Sequence, residues 1–362
     1  MTTTSVEEHV VPASGRLPWD RGRDPAVDLV RGVAVICMII AHVRVWAPIT
    51  SVPAKAAVLV VNNVASPLFA LVMGVSVGIV LTRSARPVTG TSFIVRNLVR
   101  GLLLIAIGVG LEQLHTFVAI VLMSLGATLV VAAPFALLPV RVLAGVALLT
   151  FAVGPVVNAA ARAALDLTRV YSRAWLDQVL QWLVLSTHYR VVSLLPFALI
   201  GIVLARRGLT RAVALWTVLV GLAAGVGVGL LRLGGVGIGV SEVASGDLPD
   251  ALLDVALAGC ALEVVVLVAR STWAEPVVAA LAPVRAVGAV ALTAYVLHVG
   301  LISVVMRALG PVAYEHWPVL TSGILLATVL TCWFWWVLVG RGPVERLMAL
   351  VSDRVVALAG AR

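Results

Sequence analysis

Charged residues are scarce in this 362-residue chain: they make up 12% of it, against about a quarter in an average soluble domain. Hydrophobic residues make up 61%, and the mean hydropathy is +1.10. Because so few charges could not solvate the surface of a soluble protein of this size, the composition excludes a cytosolic enzyme, a secreted module and a nucleic-acid-binding protein. We therefore interpret the net charge of +9 as a sign of how the chain sits in a bilayer.

Cysteine is also rare, and the usual metal-ligating patterns are missing. The three cysteines, Cys37, Cys260 and Cys332, lie in apolar runs, and no two of them form a CxxC pair. No HExxH-like pair of histidines occurs either. The sequence therefore predicts neither a disulfide framework nor a metal site.

The apolar residues come in runs of the length that crosses a bilayer, about 20 residues. They predict an all-α polytopic membrane protein with about ten transmembrane helices, over 27–47, 56–82, 97–114, 117–138, 142–159, 191–205, 212–231, 251–269, 286–306 and 318–339. Basic residues are more than twice as numerous on the side that carries both chain ends. The positive-inside rule then places the N-terminus and the C-terminus in the cytosol.

The segments outside the spans predict the remaining organisation. We expect a disordered cytosolic tail over 1–26, a membrane bundle over 27–340 and a cytosolic amphipathic tail over 341–362. Charges spaced three and four residues apart favour an interfacial helix on the outer surface at about 160–185.

The first span carries three ionisable residues, Asp28, Arg31 and His42. Such residues within a membrane usually face the interior of the bundle and are candidates for function. Their spacing puts all three on one helix face, with His42 about 16 Å further along the axis than Arg31. A salt bridge at the membrane boundary and a packed core imidazole are the alternatives. In the ninth span, Tyr295 and His298 share a face, which fits either function or core packing.

Residues 23–42, RDPAVDLVRGVAVICMIIAH, resemble the first-span signature of the transmembrane acyltransferase superfamily, in particular its heparan-α-glucosaminide N-acetyltransferase-like bacterial branch. Three later stretches, 66–76, 291–298 and 340–343, agree with this resemblance. The excess of arginine over a single lysine, Lys55, together with many small apolar residues, is similar to the composition of high-GC actinobacterial proteins.

The resemblance implies an enzyme, an acyltransferase of the plasma membrane. It would take acetyl-CoA or another acyl-CoA from the cytosol as co-substrate and pass the acyl group to a cell-envelope glycan or glycolipid at the outer face. His42 would be the catalytic base or acyl-relay residue, with Asp28 and Arg31 organising the cytosolic half of the site. Lysosomal relatives also carry a histidine in the outer loop before the second span. This chain has none between Val43 and Leu114, which leaves His42, or His298, to act alone.

The phosphates of CoA would bind arginines at the cytosolic rim. The candidates are Arg31, Arg83, Arg86, Arg96 and Arg100. A solvated rim that follows the positive-inside rule would explain the same arginines.

Two other interpretations fit the same residues. A transporter or lipid-flipping protein would use the polar face of the first span as a permeation path, with His42 gating protons. A relative without activity would retain the pattern as well.

The expected partners are the lipid bilayer and the envelope acceptor, and no nucleic acid. The acceptor, the acyl chain length, O- versus N-acylation and the oligomeric state, a homodimer included, stay open.

Overall fold

The computed structural model describes residues 23–47, 51–83, 89–164, 174–186, 188–234, 246–271, 274–310 and 317–360. Within these ranges the chain forms fourteen α-helices and no strand, which confirms the all-α class. In chain order the helices are α1 (Pro25–Val43), α2 (Val52–Arg83), α3 (Gly90–Glu112), α4 (Leu122–Phe135), α5 (Val140–Ala164), α6 (Trp175–Leu180), α7 (Val191–Arg207), α8 (Arg211–Leu233), α9 (Leu248–Ala269), α10 (Ala274–Ala280), α11 (Ala282–Ala289), α12 (Ala291–Leu309), α13 (Pro318–Leu338) and α14 (Pro343–Leu358).

Eight of the described helices are long and apolar enough to cross a membrane, namely α1, α2, α3, α5, α8, α9, α12 and α13. The other two predicted spans correspond to α4, with 14 residues, and α7, with 17 residues. The prediction of about ten spans is thus roughly consistent with the structure. The chain is a multi-pass membrane protein.

Two of the differences between the predicted spans and the observed helices lie next to the site. The sequence predicts that the fourth span is helical from residue 117, but residues 115–121 are not helical and α4 begins at Leu122. It predicts that the ninth begins at 286, but the chain bends at Val290, between α11 and α12. The hydropathy pattern does not reveal either break, because a buried irregular segment is as apolar as a helix.

The ends of the helices gather into two groups. In the group that we call the inner end, Arg270 after α9 donates to the carbonyl oxygen of Leu209 and lies 3.5 Å from the Asp24 carboxylate before α1. Arg206 at the end of α7 donates to the carbonyl oxygen of Leu138, before α5, at 2.5 Å. These are the connections predicted to be cytosolic.

The opposite group, the outer end, joins the other connections. Thr321 at the start of α13 donates to the carbonyl oxygen of Val43, at the end of α1, at 3.0 Å. Asn158 in α5 donates to the carbonyl oxygen of Gly246, before α9, at 3.0 Å. Successive connections therefore alternate between the two ends, as ten crossings require; which end faces the cytosol stays a prediction.

Helix α1 lies inside the bundle, against α2, α9, α11, α12 and α13. Asp24 caps its start by accepting from the Ala26 backbone N–H at 3.1 Å, and Pro25 occupies the first turn. α1 approaches α11 so closely that a Cβ atom at Gly288 would collide with the carbonyl oxygen of Asp28. Small residues allow such close packing of membrane helices. The polar face of α1 is therefore held inside the protein.

Several predicted segments extend beyond the described residues. Residues 1–22 of the predicted tail and residues 165–173 of the predicted interfacial helix lie outside them. The described part of the latter contains α6 and a π-helical turn over Gln181–Leu185. α14 occupies most of the predicted C-terminal tail.

Candidate active site

The inner end of α1 carries a buried carboxylate between two arginines. Asp28 is 2% exposed and accepts hydrogen bonds from Arg23 at 2.7 and 2.8 Å and from Arg31 at 3.2 Å. Arg31 also donates to the Ser76 hydroxyl of α2 at 2.6 Å, and Arg23 lies 5.2 Å from the ring centre of Trp336. The structure thus places Asp28 and Arg31 in the predicted pair, and it adds Arg23, which opens the first-span signature.

Next to this cluster lies a cavity of about 390 Å³, which we call the inner cavity. Its mouth is lined by Arg23, Arg31, Arg100, Arg341 and Glu345. Its walls are mostly apolar and include Met38, Phe69, Met73, Leu104, Leu122 and Leu125. A basic mouth on an apolar cavity suits a ligand with an anionic group at one end.

The predicted phosphate ligands do not all reach this cavity. Arg31 and Arg100 line it, whereas Arg96 points away and pairs with Asp353 of α14 at 3.1 Å. The side chain of Arg83 and the whole of Arg86 lie outside the described residues.

Arg100 has an unbalanced charge. In the described part of the chain, no carboxylate lies within ion-pair distance of its guanidinium; the charges that act on it are Arg31 and Arg96 and, with the opposite sign, Asp353. Like charges held close together favour a bound anion between them. The basic mouth therefore has the electrostatics of an anion site.

At the outer end of α1, His42 lies against His298 of α12. The two rings are stacked, with centroids 5.3 Å apart and planes 9° from parallel, and His42 Nδ1 lies 3.1 Å from His298 Nε2. Sequence alone leaves these histidines as alternatives, because 256 residues separate them. The structure brings them together.

The hydrogen bonds assign the protons of this pair. His298 Nδ1 lies 3.2 Å from the carbonyl oxygen of Ala294, which only accepts, so the neutral ring carries its proton there. His298 Nε2 is then an acceptor, and His42 Nδ1 must donate to it. This leaves a lone pair on His42 Nε2, a buried atom without a hydrogen-bond partner among the described residues. The atom is arranged as a base.

Tyr295 separates the inner cavity from the histidine pair. It lines the cavity, its ring meets the His298 ring edge-on with centroids 5.0 Å apart, and its hydroxyl accepts from the Val121 N–H at 3.3 Å. Val121 ends the irregular segment before α4; non-helical backbone at this depth is tolerated when buried in protein. Met38, one helical turn below His42, lines the cavity together with Tyr295, whereas neither His42 nor His298 lines it.

Glu345 of α14 is a residue that sequence reasoning missed. Its carboxylate accepts from the backbone N–H groups of Leu292 and Thr293 at 2.8 and 3.0 Å, and from the Thr293 hydroxyl at 2.5 Å. It therefore caps α12, whose own N-cap residue makes no side-chain hydrogen bond, about one turn before Tyr295. The stretch 340–343 is the sequence signal beside it.

A third histidine approaches His42 from the outer side. His188, in the segment before α7, is exposed and close enough to His42 to interact with it electrostatically. Partial desolvation and the nearby Arg190 cation lower the pKa of His188. This histidine is a further residue of the site that the first-span pattern does not reveal.

The described residues contain no group of three histidine, cysteine or acidic side chains that could hold a metal ion. The site combines an imidazole base, a group of arginines and a largely apolar cavity.

Comparison with known proteins identifies the family of this chain. Residues 23–226 match the family model of the heparan-alpha-glucosaminide N-acetyltransferase catalytic domain. The match includes Asp28, Arg31 and His42 and ends before His298. None of the curated proteins matches the chain. Because the match covers more than half of its length, the chain belongs to the heparan-alpha-glucosaminide N-acetyltransferase catalytic-domain family, a family of membrane acetyltransferases.

Proposed function

We propose that this protein transfers an acetyl or other acyl group from cytosolic acyl-CoA to a glycan or glycolipid acceptor at the outer face of the plasma membrane. The observation that carries the proposal is the alignment along α1 of a basic cavity mouth and an unpartnered imidazole nitrogen. The family match does not favour a transporter, and no contact in the described residues does so.

The inner cavity supports the donor half of the proposal. CoA carries several phosphate charges at one end and a thioester at the other. The arginines of the mouth, Arg23, Arg31, Arg100 and Arg341, would bind the phosphates, and the apolar walls would enclose the pantetheine arm. Arg31 and His42 are about 16 Å apart along α1, a separation that an extended arm of this kind can bridge.

The histidine pair supports the transfer step. As an acceptor amine or hydroxyl attacks the thioester carbonyl, His42 Nε2 takes its proton; the CoA thiolate leaves and receives that proton as the acyl–acceptor bond forms. Attack by Nε2 itself, through an acyl-imidazole relay, would start from the same lone pair. His298 orients the ring because its Nε2 accepts a hydrogen bond from the His42 Nδ1–H. Tyr295 must rotate before the thioester can reach His42.

The position of His42 supports the acceptor half of the proposal. His42 lies near the outer end of α1, where the exposed His188 approaches it, so an acceptor would arrive from the outer face. The family name points to an amino sugar, and we extend this to an envelope glycan or glycolipid.

Purified protein in lipid vesicles, supplied with radiolabelled acetyl-CoA, tests the proposal. We expect acetyl transfer or slow hydrolysis in the wild type, and a loss of about 10²- to 10⁴-fold in the His42→Ala variant with acetyl-CoA binding retained. The thermal unfolding of the variant, compared with that of the wild type, controls for misfolding. Wild-type protein that neither binds acetyl-CoA nor releases CoA would overturn the proposal.

A further inference from the structure

Helix α14 has two faces of different character. Met348, Ser352 and Val356 are buried against the rest of the protein. Leu347, Leu350 and Leu358 are exposed, with exposed fractions of 56%, 59% and 87%. Arg354 is exposed one turn from both Leu350 and Leu358, and Arg346 is exposed one turn before Leu350, so the exposed face carries two cations among leucines.

The contacts of α14 set its direction. Glu345 holds the start of α12, and Asp353 pairs with Arg96 in the second turn of α3. Both α12 and α3 begin at the inner end. Two points about 12 Å apart along α14 thus touch the same end of the bundle, so the helix lies across that end instead of running through the bilayer.

The end of α13 indicates the depth at which α14 lies in the membrane. The last two turns of α13 contain Trp333, Phe334, Trp335 and Trp336, and α14 begins at Pro343. Aromatic side chains of this kind concentrate at the boundary between hydrocarbon and headgroups. α14 therefore begins at headgroup level.

We propose that the exposed face of α14 docks on the anionic cytosolic leaflet, and that this docking holds the wall that α14 contributes to the inner cavity. The leucines would enter the boundary between headgroups and acyl chains, and Arg354 would contact anionic lipid headgroups. The same helix supplies Glu345 and Met348 to the cavity. The second half of this proposal rests on the proposed function; the docking itself does not.

A fluorescent label on single cysteines of the full chain tests the docking. The label is placed at Leu350→Cys or at Asp353→Cys, in protein whose three native cysteines are replaced. Asp353 is a matched control, because its side chain is exposed to the same degree, 60%, but lies on the flank that faces α3. Each protein is reconstituted with brominated lipids, in phosphatidylcholine alone or mixed with phosphatidylglycerol.

Docking predicts that bromine quenches the label at residue 350 at least about twofold more than the label at 353. Phosphatidylglycerol should increase the quenching at residue 350, and Arg354→Gln should reduce that increase, because one arginine near an anionic surface changes partitioning about fivefold and Arg346 remains on the exposed face. Equal quenching at the two positions would overturn the docking. Quenching that ignores phosphatidylglycerol would overturn the recognition of anionic lipid.

The link to the cavity is tested with Leu350→Glu, which places a charge on the docking face and touches no cavity residue. We expect a severalfold weaker affinity for acetyl-CoA in vesicles that contain phosphatidylglycerol. Unchanged affinity would overturn the link. If the wild type itself fails to bind acetyl-CoA, it is the proposed function that fails, and the quenching result stands independently.

Discussion

The two ends of α1 carry different polar groups, and these groups have different surroundings. At the inner end, Asp28 lies between Arg23 and Arg31 beside a cavity. At the outer end, His42 and His298 are stacked and separated from that cavity by Tyr295. The inner end has the charge needed to bind an anion, whereas the outer end has a base with a free lone pair. Under the proposed function, binding and chemistry would therefore occupy separate ends of one helix.

The largest effect is expected where a buried charge loses its partner. Asp28→Ala leaves two arginines without their carboxylate, and we expect the free energy of unfolding to fall by about 3–5 kcal/mol. Thermal unfolding in detergent measures this loss. Asp353→Ala, which breaks the exposed pair with Arg96, is the control and should cost at most about 1 kcal/mol. Equal losses in the two variants would mean that burial of the Asp28 ion pairs contributes no additional stability.

The next effect concerns the outer end. His298→Ala removes the group that orients His42, and we expect the rate of acetyl transfer to fall about 10²-fold while the affinity for acetyl-CoA stays near that of the wild type. Kinetics at saturating acetyl-CoA, together with direct binding, separate the two quantities. A loss of affinity with an unchanged rate would reverse the assignment of the two ends.

A smaller effect is expected from a single arginine at the cavity mouth. Arg100→Gln removes one charged hydrogen-bond donor, and we expect acetyl-CoA to bind about tenfold more weakly. Arg96→Gln, one turn away on the same helix but outside the cavity, should weaken binding much less, because Arg96 acts on the site only from a distance and is paired with Asp353. Isothermal titration of both variants measures this. If both weaken binding equally, the arginines act as a diffuse positive rim.

The smallest effect on activity should come from the tyrosine between the two ends. Tyr295→Phe keeps the ring against His298 but removes the acceptor of the Val121 N–H. Because this buried N–H is left without its partner, we expect the free energy of unfolding to fall by about 1–3 kcal/mol. Acetyl transfer should be maintained or faster, since the ring is freer to rotate. A drop in rate as large as that of His298→Ala would show that the hydroxyl itself takes part in the reaction.

Local periodicity predicts one half of the site. Residues on one helix share a face when their spacing matches 3.6 residues per turn, so the positions of Asp28, Arg31 and His42 in the sequence are enough to align them. The same rule pairs Tyr295 with His298. Their assigned roles stay predictions, since the structure shows their positions and contacts and not their chemistry.

Contacts between distant parts of the chain lie beyond this kind of reasoning. The separation of His42 from His298 in sequence carries no distance information, and Glu345 looks like one charge on a surface helix until it is seen to cap α12. Arg96 and Arg100 look equivalent in sequence, but of these two only Arg100 turns into the cavity. The sequence also does not reveal that the irregular segment before α4 ends at Val121.

Hydrophobicity, charge and helical period suffice to establish a multi-pass helical protein with a polar face on its first span. These are properties of short segments, and each segment carries them before it packs. Which polar groups meet, where a cavity opens and which nitrogen keeps its lone pair follow from how separate helices pack and cap one another. Those contacts join residues hundreds of positions apart, and no local pattern specifies them.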